Sequence, residues 1–476
     1  MCQPKIMNTQ KGRTMYEDEY VDSAFEWSFL ELTDRMKQFI SDDEHSVIYK
    51  NNLDKPVQYH RISDTGIPRR QSGEIEDADS GHKLEIPMQA SVRLLEFKET
   101  INGWDFNIFT LNSLTNGHAM QAMCYEIFKS HNLLNEFHLQ ESQFMRFIIQ
   151  VEKHYRRNPY HNATHAADVL QTVNCIIKQT GFVKLMSNLE VFCILLTAVV
   201  HDIEHTGTNN NFHNNSNSEL SKLYVVSILE NHHLRVGLRM MAEFKILQFL
   251  TKEMYQDFKF MMATMILSTD MANHFLLITN VKLMLLTSTK CSTRIRIQRI
   301  MMFILHAADI SNPAKPWGVH KVWVSLLCEE FFLQGDKERE LKLPVSPNCD
   351  RNTANIATLQ IGFMQTFGRE TFDVLDAMVE KEIVNAGAVY TGYKPWHSCL
   401  EENMTKWNGK WKYIKYEQIE ELLIETAQHR MSIPTHQTTV RVKHRSSLNK
   451  LCCCFCCRNK PTFRQEESSY AFSIDK

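Results

Sequence analysis

Apolar residues recur at helical spacing in one segment after another from about Leu94 to Gln428, and this limits the chain's folds more than any other feature. The spacing predicts helices over His118–Ser130, Gln143–Tyr155, Ala166–Gln179, Asn188–Val200, Glu219–Leu229, Leu234–Met241, Lys252–Leu267, Ser292–Ala307, Lys321–Gln334 and Ile356–Thr366, because residues three and four apart share a helical face. No valine and isoleucine alternation recurs between hairpin turns, so no sheet is called for. Only 16 glycines and 12 prolines occur in 476 residues, which again favours helices over a turn-rich β fold. The expected fold class is all-α. A compact multi-helix domain over 94–428 would lie between a partly disordered regulatory segment, 1–93, and a basic, cysteine-rich tail, 429–476.

Inside that pattern the apolar run Val191–Val200 ends abruptly in His201-Asp202, and His205 follows. A helix would put His201 and His205 on one face, with the Asp202 carboxylate turned into the same space. Imidazole beside carboxylate suits zinc, and the carboxylate can also hold magnesium. Taken alone, the pair reads more simply as a helix end with polar caps. Three further segments carry ligand-type residues: Tyr160–Asp168, Leu229–His233 and His306–Asp309. His165, His201, Asp202 and Asp309 would give one ion a mixed nitrogen and oxygen shell. A second ion could share Asp202 and keep its waters. Two such ions lie about 3.5–4 Å apart in known sites and suit in-line attack on a phosphate ester. His161, one turn before His165, could face the pocket as general acid, kept protonated and oriented by a carboxylate such as Glu230.

The order and wording of these segments closely resemble the class I cyclic-nucleotide phosphodiesterases. The family's motifs stand here as His161–Val169, His201–Gly207, Leu229–His233, Ser268–Met271, His306–Pro313, Glu329–Glu338 and Leu359–Phe363. The resemblance covers about 100 to 410. It implies an all-α catalytic domain of about sixteen helices, with zinc on His165, His201, Asp202 and Asp309. It also implies magnesium (or manganese) on Asp202 and waters, with His205 and Glu230 in the surrounding layer. A bridging hydroxide would attack phosphorus and His161 would protonate the leaving 3′ oxygen. The base would lie against Phe363 with Gln360 reading its edge, and Asn312 and Tyr160 complete the substrate-binding set.

A glutamine amide can present oxygen or nitrogen to a purine, and cAMP and cGMP need opposite presentations. Branches selective for cAMP carry Asn where this chain has Asn312, so a preference for cAMP is expected, with dual activity left open. Branch features are mixed. His205–His213 and Ile304–Asp309 resemble the calmodulin-stimulated branch, whereas Trp104–Phe109 and Leu114–Gly117 resemble the cAMP-specific type 7 branch. One departure stands out: Leu223–His233 is a residue shorter than the usual text and lacks its Asn-Asp. That departure is the support for a different reading, a membrane-tethered pseudoenzyme that binds cyclic nucleotide without cleaving it.

The flanking segments carry regulation rather than chemistry. A net charge of −2 gives no overall basic excess for nucleic acid. An amphipathic helix is plausible near Ala24–Phe39, but its mixed charge makes calmodulin an unexpected partner. Arg69-Arg70-Gln71-Ser72 matches the pattern of a basophilic kinase, with Ser72 as acceptor. No secretory signal follows Met1, and the scattered cysteines suit a reducing, cytoplasmic setting. Cys452, Cys453, Cys454, Cys456 and Cys457 follow a basic run and resemble an S-acylation site. Two or more acyl chains beside basic residues would hold the chain at an anionic inner leaflet.

Overall fold

The structure is a computed structural model. It describes residues 97–414 apart from 99, 287–292, 388–391 and 410. The expected helix near Ala24–Phe39, Ser72 and the five tail cysteines lie outside the described residues, as do both expected terminal segments. Among the described residues the fold is all-helical with no strand, as the periodicity required. In chain order the helices are α1 (Ile108–Leu114), α2 (Ala119–Ser130), α3 (Leu133–Glu136), α4 (Glu141–His154), α5 (Ala163–Gln179), α6 (Asn188–Val200), α7 (Asn210–Asn215) and α8 (Glu219–Leu223). There follow α9 (Ile228–Glu243), α10 (Lys252–Leu267), α11 (His274–Leu286), α12 (Thr293–Asp309), α13 (Trp317–Glu340), α14 (Ile356–Phe363), α15 (Arg369–Asn385) and α16 (Pro395–Asn408).

The core forms around α5 and α6. Every residue from His165 to Ile177 is buried, as is every residue from Val191 to Val200, and a helix buried all round belongs at the centre. α5 packs against α2, α6 and α12, and α10 lies against α6, α9 and α12. Local chemistry sets where these helices start. Asn162 accepts from Thr164 N and His165 N at the head of α5, and Ser187 with Glu190 closes a capping box on α6. On α13, Gly335 lets the segment after the helix pass against it: a Cβ there would stand 1.9 Å from the Cys349 carbonyl oxygen.

The structure divides one stretch differently from the periodicity. Glu219–Leu229 and Leu234–Met241 are not the two helices. The chain breaks at 224–227 instead, and α9 runs unbroken from Ile228. The break is backbone chemistry: Ser227 sits in the left-handed region at φ +44°, which ends α8's path and restarts it. The apolar spacing bridges the break because Ile228 and Leu229 are buried with Leu220 in a small satellite cluster. Among the described residues no single helix is long and apolar enough to cross a membrane.

Candidate active site

Three helix ends converge on one point. His165 lies in the first turn of α5, His201 caps the end of α6, and Asp309 is the last residue of α12. With Asp202 they bring their ligand atoms within 4.8 Å of one another. His165 Nε2 is 3.1 Å from Asp309 Oδ1 and 3.5 Å from Asp202 Oδ2. His201 Nε2 is 3.3 Å from each carboxylate. His201 is fully buried, and its Nδ1 donates to the Ala198 carbonyl at 2.9 Å. Nε2 then carries a lone pair toward two carboxylates, and acceptors facing one another in a buried place need a cation between them. The surrounding charges favour positive charge at this place, whether a proton or a metal ion carries it. Burial works against charge on His201, yet Asp202 and Asp309 hold its pKa well above the ordinary value. Against the cost of burial, the histidines hold both aspartates well below the usual carboxylate range. Two imidazole nitrogens and two carboxylate oxygens fit a borderline divalent ion such as zinc.

A second cluster lies alongside: His161, His205 and Glu330. Glu330, on α13, accepts from Tyr160 N at 2.8 Å and His161 N at 3.0 Å, and its Oε1 lies 2.5 Å from His161 Nδ1. Burial disfavours an imidazolium at His161, but Glu330, with Asp202 and Asp309 behind it, lifts the pKa to about 9. Glu330 itself, despite burial, is drawn down to about 2 by His161. His205 stacks on His161 with ring centres 4.1 Å apart. Its Nδ1 accepts from Gly207 N at 3.1 Å, and burial with the His161 charge keeps it neutral, well below its usual pKa.

Three expectations need correcting. His201 and His205 do not share a helical face, because α6 stops at Val200 and Glu204 turns left-handed at φ +62°. That turn carries His205 away to the second cluster. His161 is not one helical turn before His165, because it precedes the cap Asn162. Nor is Glu230 the carboxylate beside His161; that place belongs to Glu330. Glu230 instead accepts from Asn210 Nδ2 at 2.9 Å, and burial and Asp270 push its pKa up to about 8.

The base-reading candidates meet the same open pocket. Gln360, Phe363 and Asn312 line it together with His161, Asp202 and Asp309. Phe363 ends α14, its ring 5.1 Å from Phe367. A π-helical turn over Met364–Gly368 follows it and leads into α15. Tyr160 is buried, its ring 4.8 Å from both His161 and His165.

Several residues that shape the site were missed from sequence. His233 donates from Nδ1 to Ile203 O at 2.7 Å and brings Nε2 to 3.7 Å from Asp202. Trp407 Nε1 donates to His320 Nε2 at 2.8 Å, and His320 Nδ1 meets Asn312 Oδ1 at 2.7 Å. An indole can only donate, so His320 must donate from Nδ1, and Asn312 must accept through oxygen. The Asn312 NH2 group is thereby left for the pocket. One signal was available: Glu330, Gln334 and Glu338 are four apart on a helix, and all three are buried, a polar stripe on an inward face that demands partners.

Comparison with known proteins agrees with this geometry. Residues 160–386 match the model of the 3'5'-cyclic nucleotide phosphodiesterase family. The chain is 41% identical over 302 residues to a dual specificity calcium/calmodulin-dependent 3',5'-cyclic nucleotide phosphodiesterase 1B of Bos taurus, covering 62% of this chain and 56% of that one. It is 39% identical over 294 residues to the 1C protein of Homo sapiens, covering 60% and 41%. The chain thus spans about half the length of the curated relatives it matches. A solved structure of LmjPDEB1 in complex with IBMX superposes with a TM-score of 0.59 at 26% identity, covering 68% of this chain and 97% of that one. These matches support the class I family. The relatives are of the calmodulin-dependent kind and not of type 7, so the resemblance of Trp104–Phe109 and Leu114–Gly117 to type 7 gains no support from them.

Proposed function

We infer, from the match of residues 160–386 to the 3'5'-cyclic nucleotide phosphodiesterase family and from the two clusters, that this chain hydrolyses a 3′,5′-cyclic nucleotide to the 5′-monophosphate and so ends a cyclic-nucleotide signal. The observation that carries this reading is a cation-demanding His165–His201–Asp202–Asp309 cluster beside a charged histidine, both on a pocket that also holds Gln360 and Phe363. Divalent ions on those four residues, zinc with magnesium or manganese sharing Asp202, would supply Lewis acidity toward phosphate and an activated water. His161 is charged at neutral pH. Its Nδ1 is engaged by Glu330, so Nε2 holds the proton offered to the pocket. As the water oxygen bonds to phosphorus and the bond to O3′ breaks, O3′ takes that proton and becomes the 3′ hydroxyl; of the two protons the water brought, one stays on the new phosphate oxygen and the other is released and returns His161 to its charged form. Glu330 holds the ring in one orientation throughout.

At the other end, Phe363 offers a face for the base. Asn312, fixed as a donor by Trp407 and His320, would meet the N7 acceptor common to purines and hold one pose. In that pose Gln360 Oε1 would accept from the adenine amino group, giving a preference for cAMP. A second reading, turnover of both nucleotides, is favoured by the dual specificity of the relatives. It is also favoured by Gln360 itself: no hydrogen bond to another described residue sets which end of its side-chain amide faces the pocket. Parallel hydrolysis of cAMP and cGMP by purified protein with magnesium tests this. Turnover of cAMP well above cGMP, lost in Asp309→Ala, supports the reading. Equal turnover selects the dual reading, and bound nucleotide without turnover selects the pseudoenzyme.

The tail extends the reading to the membrane: acylation of Cys452, Cys453, Cys454, Cys456 and Cys457 would place hydrolysis at the cytoplasmic leaflet. Hydroxylamine-sensitive lipid on the full chain checks it. Phosphorylation of Ser72 by a basophilic kinase is checked by labelling against Ser72→Ala. Calmodulin is a named regulator of the relatives, but the sequence of 1–88 carries no basic amphipathic pattern. No calcium-dependent retention of the chain on calmodulin is expected.

A further inference from the structure

Helix α9 carries Glu230 into the pocket, yet it starts without a cap of its own. Ser227, at its head, is left-handed and makes no capping bond. Its hydroxyl is committed elsewhere, donating to Asp270 Oδ2 at 2.7 Å. The first turn therefore presents backbone N–H groups that need partners. Leu229 is buried, so an unpaired N–H there would be costly.

The missing cap comes from another segment. Asn210 Oδ1 accepts from Leu229 N at 2.9 Å, and Asn210 Nδ2 donates to Glu230 Oε2 at 2.9 Å. One amide thus fixes the helix start and the carboxylate one residue on. Asn210 is itself held. Asn209 N donates to Gln334 Oε1 at 2.9 Å, and Asn209 Oδ1 caps α7 through Phe212 N. Gln334 Nε2 in turn donates to Glu338 Oε1 at 2.9 Å, and Glu338 accepts from Ser346 N at 2.6 Å. The support runs from α13 through Asn209 and Asn210 to Glu230, without passing through the shortened 224–227 segment.

We propose that Asn210 is a positioning residue that caps α9 from outside and holds the Glu230 carboxylate toward the pocket, making good the cap that Ser227 does not provide. The role given to Glu230, steadying the waters of the ion that shares Asp202, rests on the phosphodiesterase reading; the geometry of Asn210 does not. This explains how a chain altered just before Glu230 still delivers that side chain to the pocket.

The test is a double-mutant cycle on the full chain with Mn2+ as probe. Manganese affinity is measured by calorimetry, beside kcat, KM and amide exchange over 228–231. Asn210→Ala and Glu230→Ala should each weaken Mn2+ binding about tenfold, the low end for a residue supporting a metal site. The double variant should be no weaker than Glu230→Ala, because both act through one carboxylate. Asn210→Asp is the decisive variant: its oxygen can still accept from Leu229 N, but a carboxylate has no N–H to donate to Glu230 Oε2 and sets a second carboxyl beside it. It should keep the slow exchange of Leu229 while losing Mn2+ affinity as Asn210→Ala does, with kcat falling and KM little changed. Additive losses, unchanged Mn2+ affinity in Asn210→Ala, or full affinity in Asn210→Asp would each overturn the proposal. Intact coupling in a wild-type chain that cleaves no cyclic nucleotide would sustain Asn210 and sink the activity.

Discussion

Two clusters of histidine and carboxylate stand side by side in this pocket, built from the same residue types and suited to different tasks. Around His165, His201, Asp202 and Asp309, the second nitrogen of His201 is tied back to a carbonyl, and the carboxylates face the imidazoles rather than backbone donors. Everything that remains points inward and needs a cation. Around His161, His205 and Glu330, the carboxylate is already spent on two backbone N–H groups and one imidazole. What remains is a proton on one ring, pressed against a neutral ring. The difference teaches that residue type does not separate a metal centre from an acid catalyst; the partners of the outward-facing atoms do.

The comparison breaks most readily at Asp309. Asp309→Ala removes a carboxylate shared by both inner histidines. Turnover should fall about a thousandfold or more, several kcal/mol of lost charge stabilisation, and bound metal measured by elemental analysis should fall with it. His161→Ala should cost about a hundredfold to a thousandfold in kcat while metal content stays at the wild-type level. Loss of metal in that variant would mean that the second cluster is a ligand set after all. Glu330→Gln separates the proton from its anchor. His161 works in its charged form, present below its pKa and lost as pH rises through it. The alkaline fall in kcat should stand near pH 9 in the wild type and move toward 6.5, the ordinary value. At pH 7.5 that leaves about a tenth of the enzyme protonated, a loss of about tenfold; an unmoved alkaline limb would take the proton away from His161. The smallest effect is expected outside both clusters. His320→Ala frees the Asn312 amide, and the ratio of cAMP to cGMP turnover should narrow about fivefold, chiefly through KM, as one hydrogen bond's control is lost. An unchanged ratio would remove Asn312 from base choice.

Legibility in the sequence followed how local each determinant is. The boundaries Asn188–Val200 and Lys252–Leu267 were read without error, because both helices carry unbroken apolar faces and start at Ser or Thr caps. The break at 224–227 was not, because it depends on one left-handed serine held by Asp270. His165, His201, Asp202 and Asp309 were readable as a set from three short segments in order. Sequence does not separate Glu330 from Glu230: both lie in family-like motifs, and nothing within either motif says which carboxylate reaches His161.

What the sequence by itself determined is the all-helical fold, the identity of the four ligand-type residues and the residue types at both ends of the pocket. Periodicity and caps act within a turn or two, so they are written where they act. Which carboxylate faces which histidine was decided only by the tertiary structure. Glu330 and His161 are 169 positions apart, and the left-handed turn at Glu204 swings His205 off the helical face that spacing alone would assign. A hydrogen bond depends on a few tenths of an ångström and on direction. Those are settled by how α5, α6, α12 and α13 pack, after the helices themselves are already determined.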